Sequence, residues 1–314
     1  MQSLSASPSS PVLRIGSRGS PLALAQAQEL RDRLAAAHGL DPARLAIEII
    51  KTSGDLIQDR PLAELGGKGL FTKEIEQALA DGAIDLAVHS TKDMPTVLPP
   101  GLILAAMLPR EDARDAFVSR KAKTLAGLSP GAVVGTASLR RQALVKRLRP
   151  DLQVVPFRGN VETRVRKVAE GAVDATLLAL AGLKRLGLAR AATAILEIDE
   201  FLPAVGQGAI GIEARANDDK TQALLVAIND VETATAIAAE RAFLSVLDGS
   251  CRTPIAGHAR IIGNELSFRG IIAKPDGSAA FATARTGDPR DAVALGRDAG
   301  AELKRRAGPD FFAG

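Results

Sequence analysis

One cysteine, three histidines, nine phenylalanines and neither tryptophan nor tyrosine in 314 residues leave this chain short of several chemistries. A single thiol, Cys251, cannot close an internal disulfide. His38, His89 and His258 lie far apart and have no cysteine at metal-site spacing, so no metal is expected. Single-stranded nucleic acid is bound by stacking bases on aromatic platforms, and duplex by a recognisable reading element. Neither is visible, so nucleic acid is not an expected partner. No apolar run approaches the length that spans a bilayer, so no membrane insertion is expected. Residues 1–11 are Ser/Pro-rich, with no basic stretch leading into an apolar one. They read as a disordered tail, and with no disulfide either, the expected location is cytoplasmic.

What the chain does contain describes a globular protein. It is 46% hydrophobic and 24% charged, with a mean hydropathy of +0.09, and is long enough for two or three domains. The net charge is only +4, yet 28 of the 40 basic residues are arginine. Arginine presents a planar fork that grips a carboxylate or phosphate at two points, where lysine offers a point charge. A GC-rich genome accounts for the total by itself, so position must decide which arginines matter.

Apolar periodicity alternates between strand and helix. Strands are expected at 12–16, 45–50, 84–89, 102–107 and 116–118, with helices at 21–38 and 70–80. The logic then repeats, with strands at 132–135, 153–156 and 175–179 and helices at 138–148 and 161–170. Such alternation favours mixed, mostly parallel sheets. The Gly/Pro-rich stretch 201–211 looks like a hinge or return crossing. Beyond it come helices at 220–228 and 231–247 and strands at 255–262, 266–273 and 279–286. A helix at 290–306 closes this small α+β unit, whose sheet is an antiparallel meander of three strands.

Open α/β sheets bind ligands just beyond strand ends. In this chain those positions carry Arg18-Gly19-Ser20, Lys92-Asp93, Thr136-Ala137-Ser138-Leu139-Arg140-Arg141 and Arg158-Gly159-Asn160-Val161-Glu162-Thr163-Arg164. Ser, Thr and Asp cap helices in any protein. Arginine at a helix start, however, opposes the macrodipole unless an anion is present. A polyanionic ligand explains several such clusters at once. Asp93 is the only acid in its loop; it either caps the turn before Pro95 or stabilises a developing cation. His89 reads as a strand-end residue with a structural hydrogen bond. Gly66-Gly67-Lys68-Gly69 lacks the Ser or Thr of a phosphate-binding P-loop and reads as a mobile basic loop. From residue chemistry alone Cys251 is a core residue, a nucleophile or an attachment point.

These motifs together resemble the porphobilinogen deaminase, or hydroxymethylbilane synthase, family over nearly the whole chain. The segments that carry the resemblance are Arg14-Ile15-Gly16-Ser17-Arg18-Gly19-Ser20-Pro21-Leu22-Ala23-Leu24, Gly66-Gly67-Lys68-Gly69-Leu70-Phe71, Val88-His89-Ser90-Thr91-Lys92-Asp93, Gly135-Thr136-Ala137-Ser138-Leu139-Arg140-Arg141-Gln142, Arg158-Gly159-Asn160-Val161 and the stretch from Glu240 to Ile255 around Cys251. The resemblance implies two domains like those of type II periplasmic binding proteins, plus a smaller α+β C-terminal domain carrying the cysteine. The expected divisions are 12–108 with 207–226, then 109–206, then 227–314.

The implied reaction deaminates four porphobilinogen molecules and joins them head to tail into hydroxymethylbilane, a precursor of haem and other tetrapyrroles. The implied cofactor is a dipyrromethane held on Cys251 as a thioether. Asp93, Lys92 and Arg18 match the family's catalytic positions. Cofactor-binding positions are Cys251, Ser20, Lys92, Asp93, Thr136, Ser138, Arg140, Arg141, Arg158 and Gly159. Substrate-binding positions are Arg18, Arg158, Arg164, Arg185 and Gln207, with Lys68 on a mobile loop. Each porphobilinogen brings an acetate and a propionate, which suits a cleft lined with bidentate cations. A monomer is expected, with its product passed to uroporphyrinogen-III synthase. The chain departs from family habit at Glu64, where some members have lysine, and at Thr91 and Ser250, where methionine and glycine are common. Neither of the latter removes a group the chemistry requires.

Two rival classes share parts of this pattern. A solute-binding protein would use a similar cleft but would give no role to Cys251. A cysteine hydrolase would need a base beside its thiol, and only His258 is close in sequence.

Overall fold

The computed structural model describes residues 12–56, 69–247, 253–309 and 311. The chain runs through β1 (Leu13–Ser17), α1 (Pro21–His38), β2 (Leu45–Ile49), α2 (Ser53–Leu56), α3 (Lys73–Ala80), β3 (Leu86–Ser90) and β4 (Leu102–Met107). It continues with β5 (Asp115–Ser119), β6 (Val133–Gly135), α4 (Leu139–Leu148), β7 (Gln153–Val155), α5 (Val161–Ala169), β8 (Ala175–Ala179), α6 (Leu180–Arg185) and β9 (Ala194–Leu196). Then come β10 (Ile210–Arg215), α7 (Asp219–Val226), α8 (Val231–Val246), β11 (Ile255–Ile262), β12 (Glu265–Ala273), β13 (Ala280–Gly287) and α9 (Ala292–Ala307).

Two five-stranded sheets share one plan, with orders β2-β1-β3-β10-β4 and β7-β6-β8-β5-β9. In the first, β2, β1 and β3 pair in parallel while β10 runs against both β3 and β4. In the second, β5 runs against both β8 and β9. The antiparallel strand of each sheet thus follows a crossing from the other. The two crossings are joined, since Leu108 N–H donates to Ile210 O at 3.1 Å and Glu111 N–H to Gly208 O at 3.2 Å.

Local sequence sets the helix ends. The Ser20 hydroxyl accepts from Ala23 N–H, Pro21 opens α1, and Gly39 ends it in the left-handed region at φ 61°. Ser138 and Asn160 likewise cap α4 and α5. Leu30 and Leu34 on α1 and Ile15 on β1 are fully buried in one core cluster, with Ile210 and Ile212 of β10. α3 starts at Lys73 rather than residue 70. A turn closed by Thr72 and Lys73 N–H bonds to Gly69 O precedes it, with Gly69 at φ 84°.

The sequence-based expectation lacks α2, α6, β9 and β10, and its crossing at 201–211 takes in only the first two residues of β10. β10 does alternate, with Ile210, Ile212 and Ala214 against Gly211, Glu213 and Arg215, but it continues the Gly/Pro-rich crossing with no turn to set it apart. The expected meander is present as β11-β12-β13. α8 and α9 pack together so closely that a Cβ on Gly296 would fall 2.1 Å from the Ala239 carbonyl oxygen. Phe243 and Phe268, both fully buried, meet in the core beneath at a centroid distance of 5.0 Å.

Candidate active site

The turns that follow β1, β3, β6 and β7 carry the polar residues singled out above. After β3 the chain makes a 3-10 turn, Thr91–Asp93. The turn is supported from behind: Thr91 N–H donates to Ala209 O at 3.1 Å, and a Cβ on Gly206 would fall 3.0 Å from Lys92 N. Gly206 has φ 75°, so the close approach and the backbone conformation both call for glycine. Ser90, at the end of β3, exchanges hydrogen bonds with the buried Gln26 on α1, at 2.8 and 3.1 Å. His89 is buried, with Nε2 3.1 Å from Glu213 Oε2 on β10, a structural contact rather than a catalytic one.

Asp93 sits among cations from both sheets, and none of the hydrogen bonds or ion pairs among the described residues engages its carboxylate. Burial pushes the neighbouring Lys92 ammonium below the usual lysine range; Asp93 opposes that shift, while Arg141 and Arg164 reinforce it. Burial likewise pushes the Arg164 guanidinium down to about 10, with Arg141 and Arg158 adding to the shift and Asp93 opposing it. Arg164 stays charged at neutral pH and donates from Nε to Gly159 O at 2.7 Å. Gly159 itself lies at φ 123°, where a Cβ would fall 2.8 Å from Thr163 Cγ2. Arg18, after β1, stacks its guanidinium over the Phe71 ring at 4.2 Å. One carboxylate is therefore within electrostatic reach of Lys92 and Arg164, with Arg141 and Arg158 close by.

The remaining candidates occupy other surroundings. Ser20 and Ser138 are helix caps, and the Thr136 hydroxyl accepts from Ser138 N–H at 3.1 Å. Arg140 and Arg141 are only 5% and 6% exposed and both pair with Asp115, at 2.8 and 2.7 Å. Arg140 further donates to Leu202 O at 2.8 Å and to Gln207 Oε1 at 3.3 Å. Gln207 in turn donates to Ala113 O at 2.7 Å and to Asp115 at 3.2 Å.

Direct ligand contact was expected of Arg140 and Gln207. In this structure the Arg140 terminal nitrogens and the Gln207 amide take part in a buried network that joins the two crossings, while Arg140 Nε is buried without a hydrogen-bond partner among the described residues. The physical reason is Asp115: fully buried, it needs two guanidinium groups to stay ionised, and against the cost of burial they hold it down at about 2. Arg141 belongs to the same network and also faces Lys92 and Arg164. Arg185 is tied to Glu29 on α1 and to the Gly208 carbonyl.

Sequence reading singled out neither Asp115 nor Glu240. Asp115 ends the run Arg110-Glu111-Asp112-Ala113-Arg114-Asp115, which resembles any solvated charged turn. Cys251 and Lys68 lie outside the described residues. Arg241 on α8, the helix preceding Cys251 in the chain, donates to Pro95 O and Thr96 O at 2.8 and 3.1 Å. This helix is therefore pinned to the segment just beyond Asp93. Among the described residues no group of three acidic, histidine or cysteine side chains could hold a metal ion, and no helix is long and apolar enough to cross a membrane.

Two mixed-sheet domains with guanidinium groups at their strand ends around the Asp93 carboxylate, and a third domain with an antiparallel sheet, define the class of α/β protein. The chain belongs to the porphobilinogen deaminase family. Residues 13–223 match the profile described as porphobilinogen deaminase, dipyromethane cofactor binding domain, and residues 234–305 match the porphobilinogen deaminase C-terminal domain. The chain is 63% identical over 298 residues to the porphobilinogen deaminases of Nitrobacter hamburgensis and Nitrobacter winogradskyi, covering 95% of this chain and 94% of each relative. It is 59% identical over 307 residues to the chloroplastic porphobilinogen deaminase of Oryza sativa subsp. japonica, covering 96% of this chain and 86% of the relative.

Proposed function

We propose that this chain deaminates porphobilinogen and joins four units head to tail, starting from a dipyrromethane primer on Cys251 and releasing hydroxymethylbilane. The observation that carries the reading is the placement of Asp93 among Lys92, Arg141, Arg158 and Arg164. A dipyrromethane built from two substrate units brings four carboxylates, and the donor set fits it, because Arg18, Lys92, Arg141, Arg158 and Arg164 outnumber the acids Asp93 and Glu162 at these strand ends. Arg18, Arg141, Arg158 and Arg164 would hold its carboxylates and those of incoming rings, beside the backbone at Gly159 and the hydroxyls of Ser20, Thr136 and Ser138. Bound, the dipyrromethane supplies the pyrrole carbon to which the first substrate unit is joined.

The chain's own residues supply charge and position. When porphobilinogen loses its amine as ammonia, the carbon left behind becomes cationic, and the Asp93 carboxylate is placed to stabilise that charge. Lys92, lowered by burial, can return a proton more readily than an exposed lysine and so assist departure of the amine. Tethering through Cys251 replaces repeated encounters between intermediates and enzyme with one held strand. A primer tethered on one chain needs no second copy, which supports a monomer. In the same reading the enzyme works in the cytoplasm and passes hydroxymethylbilane to uroporphyrinogen-III synthase, and the chain divides at 12–108 with 207–226, 109–206 and 227–314.

Intact-protein mass before and after addition of porphobilinogen tests the proposal. The wild-type chain should carry a dipyrromethane adduct and gain ring masses in steps, while Cys251→Ser should carry none. A wild-type protein of unmodified mass that releases no hydroxymethylbilane would contradict it.

A further inference from the structure

Arg185 is held from two directions. It sits at the end of α6 in the second sheet domain, yet its Nε donates at 3.3 Å to Oε2 of Glu29 on α1 of the first. Its Nη2 donates at 3.1 Å to the Gly208 carbonyl on the return crossing. The two helices meet closely, since a Cβ on Gly182 of α6 would sit 3.5 Å from the Leu22 side chain of α1. The Arg185 side chain is 10% exposed and that of Glu29 is 27% exposed. The other Glu29 oxygen, Oε1, accepts from Nε and Nη2 of Arg33, one turn along α1, at 3.2 and 3.0 Å.

We propose that Glu29 is a resident competitor for Arg185, a cross-domain latch whose carboxylate occupies the guanidinium until a carboxylate of the pyrrole ligand displaces it. The inference rests on the proposed function, together with the expectation from the family resemblance that Arg185 receives substrate carboxylates, and names the residue that tunes their binding. Three features make the exchange inexpensive. Replacing one carboxylate by another leaves the charge at Arg185 unchanged. Glu29 keeps its second cation, Arg33, so release strands no charge. Arg185 keeps its bond to Gly208, so the guanidinium stays at the hinge when the latch opens. Opening also frees α1 from α6, which lets the two sheet domains part as the bound chain lengthens.

The test uses full-length, primer-loaded enzyme. Glu29→Gln should lower the KM for porphobilinogen about two- to fivefold, the size expected for losing a partly exposed ion pair, with kcat changing less than KM. In an Arg185→Gln background the same Glu29 change should have no effect on KM. A KM that is unchanged or raised in Glu29→Gln, or that falls equally in both backgrounds, overturns the proposal. A readout independent of turnover is amide hydrogen exchange of α6 in ligand-free protein, which should quicken in Glu29→Gln. If the wild type turns over no porphobilinogen, the functional reading fails by itself. The exchange result then judges the latch, and unchanged protection of α6 rejects it.

Discussion

Arg110 and the fully buried Glu240 form an ion pair across 130 residues of sequence, Nη1 to Oε1 at 2.6 Å. The Glu240 carboxylate also accepts from Gly206 N–H at 2.7 Å and Ala259 N–H at 2.8 Å. One side chain on α8 thereby fastens the outgoing crossing, the return crossing and β11. A buried carboxylate with these partners is costly to remove, because Arg110 and two amides are left unmatched. Glu240→Ala should lower stability by about 3–5 kcal/mol. Urea denaturation measures the loss, and a change below about 1 kcal/mol would refute the fastening role.

Asp93 differs in that, among the described residues, its carboxylate enters no hydrogen bond or ion pair that holds the fold. Asp93→Ala should cut turnover by about 10²–10⁴-fold while leaving the unfolding midpoint unchanged. Steady-state rates and thermal melts of the same preparation separate the two effects. Substantial retained activity would remove Asp93 from the chemistry.

Asp115 should behave in the opposite way. Asp115→Asn keeps the shape but leaves Arg140 and Arg141 side by side without their counter-charge, at a cost of about 3–5 kcal/mol. Activity per folded molecule should also fall, because Arg141 faces both this network and Lys92. An unfolding midpoint equal to the wild type would contradict the network's structural role.

His258 makes stability depend on pH. Burial holds its imidazole down at about 4, despite the opposing charge of Glu240. Between about 4 and the ordinary value near 6.5 the unfolded chain binds a proton at this site that the folded chain does not. Stability from this residue is therefore intact above about 6.5 and declines as pH falls toward 4. His258→Gln should flatten the stability profile in that window, as chemical denaturation at stepped pH would show. An identical slope in the variant would mean that the decline comes from other groups. An imidazole held down at about 4 is also a weak proton acceptor, a poor match for the base of a hydrolase.

The residues that touch solvent-facing strand ends were legible in the sequence, because arginine beside a helix start contradicts local electrostatics and so advertises a ligand. Arg18, Arg158 and Arg164 stand out that way, while Lys92 and Asp93 stand out by their place after a strand end, Asp93 as the only acid of its loop. The meander was equally plain from its turns. What sequence could not supply was pairing between distant charges. Arg140 and Arg164 look alike in the chain, yet Asp115 encloses the first and leaves the second facing Asp93. β10 was hidden for a local reason: its alternating residues continue the Gly/Pro-rich crossing with no turn to mark where the strand begins.

The exchange of strands between the two sheets has a consequence for how the protein is made. As the chain leaves the ribosome, the first sheet lacks its fourth strand in spatial order until the entire second sheet has been synthesised. Until then β3 presents an unpaired inner edge and β4 has no neighbour to join. Open edges of this kind invite wrong pairing. The nascent N-terminal half should therefore depend on chaperones, and a truncation ending before residue 210 should aggregate rather than fold.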